Sequence, residues 1–435
     1  MSERNYQYRH IARVVVEAAT PLCVGTGQKE IYTDATVAKD VNGLPYIPGS
    51  SIAGVVRHAL EERGSELKEF FGFQSRNDGQ GSEIIFSEAK MIGADGIAVD
   101  GLQIIDFDDN FYRDFEWLPV RQHVRISHRG AAENHGKFDE EVVLKGTRFS
   151  FEIEAVSQNS KNTDFDDVLA ALHRAELRLG GGSRKGFGKI KVIECKKKVL
   201  DLACKDHLQW YLDHSSSLEQ DFDGENVNGE TQSNATVYEL TLRPDDFFLF
   251  GAGFGDNEAD IVPVTEKIVT WSDGKPKVEE RMLIPASSIK GALAHRVAFH
   301  HNKKHGIWAE ENNHSVENKA VVELFGSPDA QKPQRGIVLF EDILEAVPGE
   351  KVFNHVKIDR FTGGAVDGAL FQEKATYGAG TSFTTHITLL GDASNDAVEA
   401  LEAALTDLCN GMLPLGGGTT KGYGSFTGNF QKTTN

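Results

Sequence analysis

The sequence is poor in the residues that mark a secreted, membrane-bound or metal-stapled protein. Among 435 residues there are four cysteines, Cys23, Cys195, Cys204 and Cys409. They form no CxxC pair and show no zinc-ligand spacing, so neither a disulfide framework nor a structural zinc is expected. Buried thiols in a reducing cytoplasm are the simple reading. No apolar run approaches the length that crosses a bilayer, and the opening MSERNYQYRH has no signal-peptide hydrophobic region. Positive charge is also short: 46 Lys and Arg against 65 Asp and Glu leave a net charge of −19. A free-standing, non-specific nucleic-acid binder carries a basic domain, so that class is excluded. A local basic groove on an acidic body is not, nor is a subunit that shares its nucleic acid with more basic partners. The apolar and charged fractions, 40% and 26%, are those of an ordinary soluble chain.

What the chain does have is a repeat. Leu44 to Leu60, LPYIPGSSIAGVVRHAL, reads as a hairpin arm, a tight turn and a helix. Asn42-Gly43 signals the turn. Pro45 and Pro48 keep the backbone extended, and Ser50 is placed to cap the helix. Ile52, Val55, Val56, Ala59 and Leu60 then share one apolar face. Gly49 and Gly54 leave room for another backbone at the helix start, where loose amides suit a phosphate. Leu283 to Phe299, LIPASSIKGALAHRVAF, repeats the pattern. Other landmarks recur at nearly constant spacing: Ser50 with Ser287, shift 237; Gly180 with Gly416, shift 236; Gly146 with Gly380, shift 234; His123 with His355, shift 232. A duplicated unit explains the agreement. The expected organisation is a first domain over 1–195, a linker over 196–235 that opens with a short helical piece and becomes polar, acidic and mobile over 215–236, and a second domain over 236–435.

The sharpest motif is LxLGGG[ST]xxKG[FY]G, spelled LRLGGGSRKGFG from Leu177 and LPLGGGTTKGYG from Leu413. Three glycines present bare amides, Lys185 or Lys421 follows, and Phe187 or Tyr423 sits between two later glycines. Amides, lysine and aromatic together suit phosphate and base stacking; a tight structural turn is the plainer alternative. It is no Walker loop, because no Ser or Thr follows the lysine and a strand, not a helix, comes next. No βαβ unit surrounds it, which excludes a dinucleotide fingerprint. Arg125, His128, Arg129 and Lys137 cluster in the first copy, and His355, Lys357 and Arg360 in the second. Asp34 stands out among the acids, after a glycine pair and before a hairpin. A carboxylate beside RNA is repelled unless it binds a metal ion or orients a nucleophile. Asp260 is its counterpart, with Asp256 and Glu258 as rivals.

Together, LPYIPGSSIAGVVRHAL and LRLGGGSRKGFGKIKV resemble the RAMP superfamily of CRISPR-associated proteins. The stretch from Thr33 through Asp34 to Gly49 is similar to the Cas-seven-like backbone subunits of type III effector complexes. The resemblance covers both copies and leaves out linker and tail. It implies an α+β fold of two tandem modified ferredoxin-like (RRM-like) domains with hairpin thumb insertions, aligned along a guide RNA. It implies endoribonuclease action on guide-paired target RNA with a divalent metal, Mg²⁺ being the expected ion. The 2′-hydroxyl would attack the adjacent phosphate, with Asp34 and Asp260 catalytic and Asp34 the metal residue. The RNA contacts it assigns in the first copy are Ser50, Ser51, Arg57, Arg125, Arg129, Gly180, Gly181, Gly182, Arg184, Lys185 and Phe187. In the second copy they are Ser287, Ser288, Lys290, Lys357, Arg360, Gly416, Gly417, Gly418, Lys421 and Tyr423. Other subunits of the effector complex are the implied partners, with no membrane. Two departures stand out. The tandem arrangement resembles the fused subunits of type III-D-like systems, and the second copy has Ala286 where the first has Gly49. A non-catalytic RNA-binding scaffold is the alternative.

Overall fold

The computed structural model describes residues 6–27, 33–61, 68–75, 79–127, 131–229, 235–308, 318–327 and 333–434. The chain is α+β, and its two halves share one strand order. In the first half the opening strand Tyr8–Ala18 pairs antiparallel with Arg148–Ser157 on one side and Ile190–Asp201 on the other. The short Ile84–Phe86 lies outside Arg148–Ser157. In the second half Thr236–Pro244 pairs with Phe383–Leu389 and Phe426–Thr434, and Val338–Phe340 takes the outer place.

Alternation decides which face of each sheet is covered. Ala12, Val14, Val16 and Ala18 point toward two helices, Gly49–Glu61 and Thr163–Leu172. The apolar helix face read from the sequence is buried at Ile52, Val56, Ala59 and Leu60, with Val55 half-buried. In the second half Ile289, Leu293 and Val297 of helix Ala286–His305 pack on helix Asn395–Cys409.

The described residues of the span read as a linker pack against the first half. Strand Ile190–Asp201 runs across residue 195, helix Lys205–Asp213 follows, and Glu225–Asn226 adds to the sheet edge at Lys196 and Lys197. Phe222, Leu200 and Ile11 form a small core with Trp210 and Tyr211 against it. Arg13, on the outer sheet face, bonds Glu152 at 2.8 Å and the Ser217 carbonyl at 3.1 Å. The aromatic residues supply the burial that the acidic composition hides.

Each half projects a hairpin from the same point of its topology: Val120–Ile126 with Ala132–Glu141, and Glu350–Ile358 with Ala365–Tyr377. A third hairpin, Thr265–Ser272 with Lys275–Ile284, reaches from the second half onto the first. There the Val269 amide donates to the Lys145 carbonyl at 2.7 Å, and the Trp271 indole donates to the Gly146 carbonyl at 2.7 Å. Gly146 is required here. Its φ is +87°, and a Cβ on it would overlap the Val269 carbonyl. Gly146→Ala is expected to cost about 1–3 kcal/mol through backbone strain alone, read as a lowered urea midpoint.

Buried charge completes the junction. The Arg121 guanidinium forks onto Glu266 at 2.6 and 2.8 Å and reaches Asp342 at 2.8 Å, all three being almost fully buried. Lys189 meets Glu341 at 2.6 Å. Arg184 donates to the Gly336 carbonyl at 2.5 Å.

Candidate functional site

Asp34 sits where the chain crosses the root of the first hairpin. Ala35 bridges Glu140, the Glu141 amide donates to the Ala35 carbonyl at 2.9 Å, and the Asp139 amide donates to Asp34 Oδ2 at 3.3 Å. The second half rebuilds this residue for residue. Ile261 bridges Glu373, the Lys374 amide donates to the Ile261 carbonyl at 2.8 Å, and the Gln372 amide donates to Asp260 Oδ2 at 2.7 Å. The register makes Asp260, and not Asp256 or Glu258, the counterpart of Asp34. Both aspartates are exposed.

One residue further along the hairpin lies a second recurring group that the motif reading missed. Glu140 takes the Lys185 ammonium and lies 3.3 Å from His123 Nε2. His123 stacks on Phe138 with centroids 4.8 Å apart, and Lys185 lies over the same ring at 4.6 Å. In the second half Glu373 takes Lys421 at 2.8 Å and lies 3.3 Å from His355, while Phe371 stacks on His355 at 4.9 Å and underlies Lys421 at 5.0 Å. Burial alone would raise the Glu140 carboxyl, but the bonds from His123 and Lys185 outweigh it and hold the group low. The signal was present in the sequence as FDEE and FQEK, spaced 233 apart.

This group changes the reading of the glycine-rich loops. Lys185 and Lys421 point inward to glutamates and not outward to phosphate. Phe187 and Tyr423 are buried, 0% and 9% exposed, so neither offers a face to a base. The Gly181 and Gly417 amides are spent on the carbonyls of Cys23 and Leu249, both at 2.7 Å. Gly180 and Gly416, at φ +79° and +88°, pass so close to those carbonyls that no side chain fits. Gly182 and Gly418, also left-handed, lie against the Phe187 and Tyr423 rings. The loops lock each hairpin root to its sheet.

The serine-capped helix start is corrected too. Helix Gly49–Glu61 begins two residues earlier than a Ser50 cap would place it, with the Ser51 and Ile52 amides on the Pro48 carbonyl, so exposed Ser50 lies inside the first turn. Helix Ala286–His305 starts on Pro285 without a side-chain cap; Ser287 and Ser288 lie in its first turn, and the Ala286 amide donates to Asp342 at 2.7 Å. Gly49 is needed because a Cβ would run into the Phe86 carbonyl, whereas a Cβ at Gly54 would meet nothing. Arg57 reaches the Gly72 carbonyl at 3.4 Å.

Basic side chains gather in two places. Arg184 and Lys185 of the first loop approach Lys290 of the second half's helix. Burial, then these two cations, push the Lys290 ammonium down to about 8. Arg125, Lys357 and Arg360 stand exposed along the hairpins, beside exposed Val124, Ile126, Val356, Ile358 and Phe361. Arg129 and His128 lie outside the described residues. His301, His305 and Asp396 also come together. There the Asn318 carbonyl oxygen caps Ala320 and Val321, so its amide nitrogen faces His301 Nδ1, and Lys304 neutralises Asp396. That cluster clasps two helices.

The sequence model of the RAMP superfamily matches residues 15–191 and 274–427. The chain belongs to the RAMP superfamily. Two curated proteins are similar to it, each called CRISPR system Cms endoribonuclease Csm3. The one from Methanocaldococcus jannaschii is 26% identical over 236 residues, covering 49% of this chain and 88% of the relative. The one from Enterococcus italicus is 26% identical over 198 residues, covering 41% and 86%. Each alignment thus takes in most of the relative and under half of this RAMP chain. No helix among its described residues is long and apolar enough to cross a membrane.

Proposed function

We propose that this chain is a tandem backbone subunit of a type III CRISPR ribonucleoprotein, holding guide RNA and cutting the guide-paired target RNA beside Asp34. The observation that carries it is the twofold seat, an exposed aspartate fixed by a hairpin amide in the same register in each half. The relatives' names supply the reaction class. The exposed Arg125, Lys357 and Arg360 along the hairpins supply places for guide phosphate on a body of net charge −19. Sequence would be read by base pairing, and the protein would grip shape and backbone.

Asp34 accepts the Asp139 amide at Oδ2, which seats its carboxylate at the hairpin root. The carboxylate orients the target's 2′-hydroxyl and accepts its proton as the 2′-oxygen attacks the adjacent phosphorus. The bond to the 5′-oxygen breaks, leaving a cyclic phosphate and a 5′-hydroxyl. The donor set of the first half fits the divalent ion that the family implies. Asp139 Oδ1 is buried without a hydrogen-bond partner beside Asp34, and carboxylates are the hard oxygen donors that Mg²⁺ takes. Asp34 and Asp139 would hold the ion, which would neutralise charge gathering on the phosphate.

The test is cleavage of an end-labelled complementary RNA by the guide-loaded complex, with Mg²⁺ and with chelator. Loss of the cut beside Asp34 in chelator and in Asp34→Ala is expected. Survival of that cut under both conditions would place its nuclease elsewhere and leave the first half a scaffold.

A further inference from the structure

The two halves repeat the aspartate and its amide seat but not the charges around it. The strand that seats Asp34 reads Asp139-Glu140-Glu141, and the strand that seats Asp260 reads Gln372-Glu373-Lys374. The middle glutamate is kept in both and is committed to the glycine-rich loop. Its neighbours differ. Gln372 replaces Asp139, and its side-chain amide donates to Asn354 at 3.0 Å. Lys374 replaces Glu141, which is a reversal of charge at one topological position. The Lys374 ammonium lies 2.6 Å from Asp256 and 2.8 Å from Glu258, and its side chain is 12% exposed. The Asp256 carboxyl is held down at about 2, first by the bond from Lys374 and then by the Glu258 amide.

A divalent ion in this loop would draw on Asp256 and Glu258, which already surround a cation at ion-pair distance; Asp260 is bonded to an amide and does not gather with them in one ligand group. The ion would have to expel the ammonium or sit beside it. At this spacing the two cations would repel each other. The donor set of the second half therefore does not fit the metal that the first half fits.

We propose that Lys374 is a built-in cation standing where a divalent ion would stand, so that the second half meets target RNA without metal. This rests on the proposed function, and it gives the duplicated site two unlike halves: one dependent on an exchangeable ion, the other on a fixed side chain.

The test locates the ion directly. The guide-loaded complex is bound to a target carrying 2′-deoxy sugars at the cut positions, and Fe²⁺ is supplied in place of Mg²⁺. Ascorbate and peroxide then break the polypeptide beside any bound iron. Three proteins are compared: wild type, Lys374→Gln, and Gln372→Asp combined with Lys374→Glu. Retention of guide RNA shows that each has folded. In the wild type no breaks are expected around residues 256–260 and 372–374. In the double variant, whose strand now has the first half's charges, breaks appear there, and in Lys374→Gln they are weaker. Breaks there in the wild type overturn the proposal, as does a double variant that retains guide and gains none. Breaks around residues 34 and 139 are scored separately. Their absence would count against the metal reading of the first half and would leave the outcome for Lys374 legible.

Discussion

Asp34→Ala in the guide-loaded complex is expected to slow cutting beside the first half by about 10²–10⁴-fold, the range lost when a positioned proton acceptor is removed. Guide retention and the urea midpoint should stay at wild-type values. Asp34 is exposed, and the bond it accepts from the Asp139 amide is a surface bond. The hairpin root beneath it is held independently by Glu140, Lys185 and His123. Any cut beside the second half should be untouched, because Asp260 has its own seat on Gln372. Asp34→Asn is the informative companion: it keeps the contact to the amide and removes the charge, so loss of cutting there points to chemistry and not to position. Equal loss of both cuts in Asp34→Ala would mean that the aspartates form one site, against the separate seats seen here.

The second large effect is on stability. Arg121→Ala removes the positive charge between Glu266 and Asp342, which are almost fully buried. Breaking a buried pair by deleting one partner costs about 3–5 kcal/mol, because the remaining charge has no water to turn to. The loss should fall on the contact between the halves, so urea unfolding is expected to split into two transitions. Acid should regain part of the loss. Burial already pushes the Asp342 carboxyl up with Arg121 in place, and removing that counter-charge pushes it further, so protonation favours the folded form as the pH is lowered. Glu341 acts the other way in both proteins: its burial is outweighed by His386 and Lys189, which hold its carboxyl at about 2. Its contribution is present above its ordinary value of 4.5 and is lost as pH falls toward 2. A variant that unfolds in one step at the wild-type midpoint would show that the junction rests on the Val269 and Trp271 contacts instead.

The local rules of the sequence carried far. The 3.6-residue spacing of Ile52, Val56 and Leu60 and the alternation of Val14 and Val16 placed the right faces inward, but the charged stretch before Phe138, which reads as a loop, is a paired hairpin. What the sequence hid was partnership over distance. Lys185 looked free because Glu140 lies 45 residues away on a hairpin, and Arg121 gave no sign because its partners are 145 and 221 residues on. Phe187 was read as a stacking surface because an aromatic between glycines looks exposed, yet the turn folds it under. Ser50 lost the helix cap because Pro48 already ends the extended arm with its carbonyl in line. The choice among Asp256, Glu258 and Asp260 needed the bridge between Ile261 and Glu373, a fact about register that composition does not contain.

The junction also makes the molecule a gauge. With Arg121 clamped between Glu266 and Asp342, and Gly146 pressed against Val269, the two hairpins cannot slide past one another. The interval from Asp34 to Asp260 belongs to the polypeptide and does not depend on how separate subunits happen to meet. A duplex held over both halves as proposed would meet Asp34 and Asp260 a constant count of nucleotides apart.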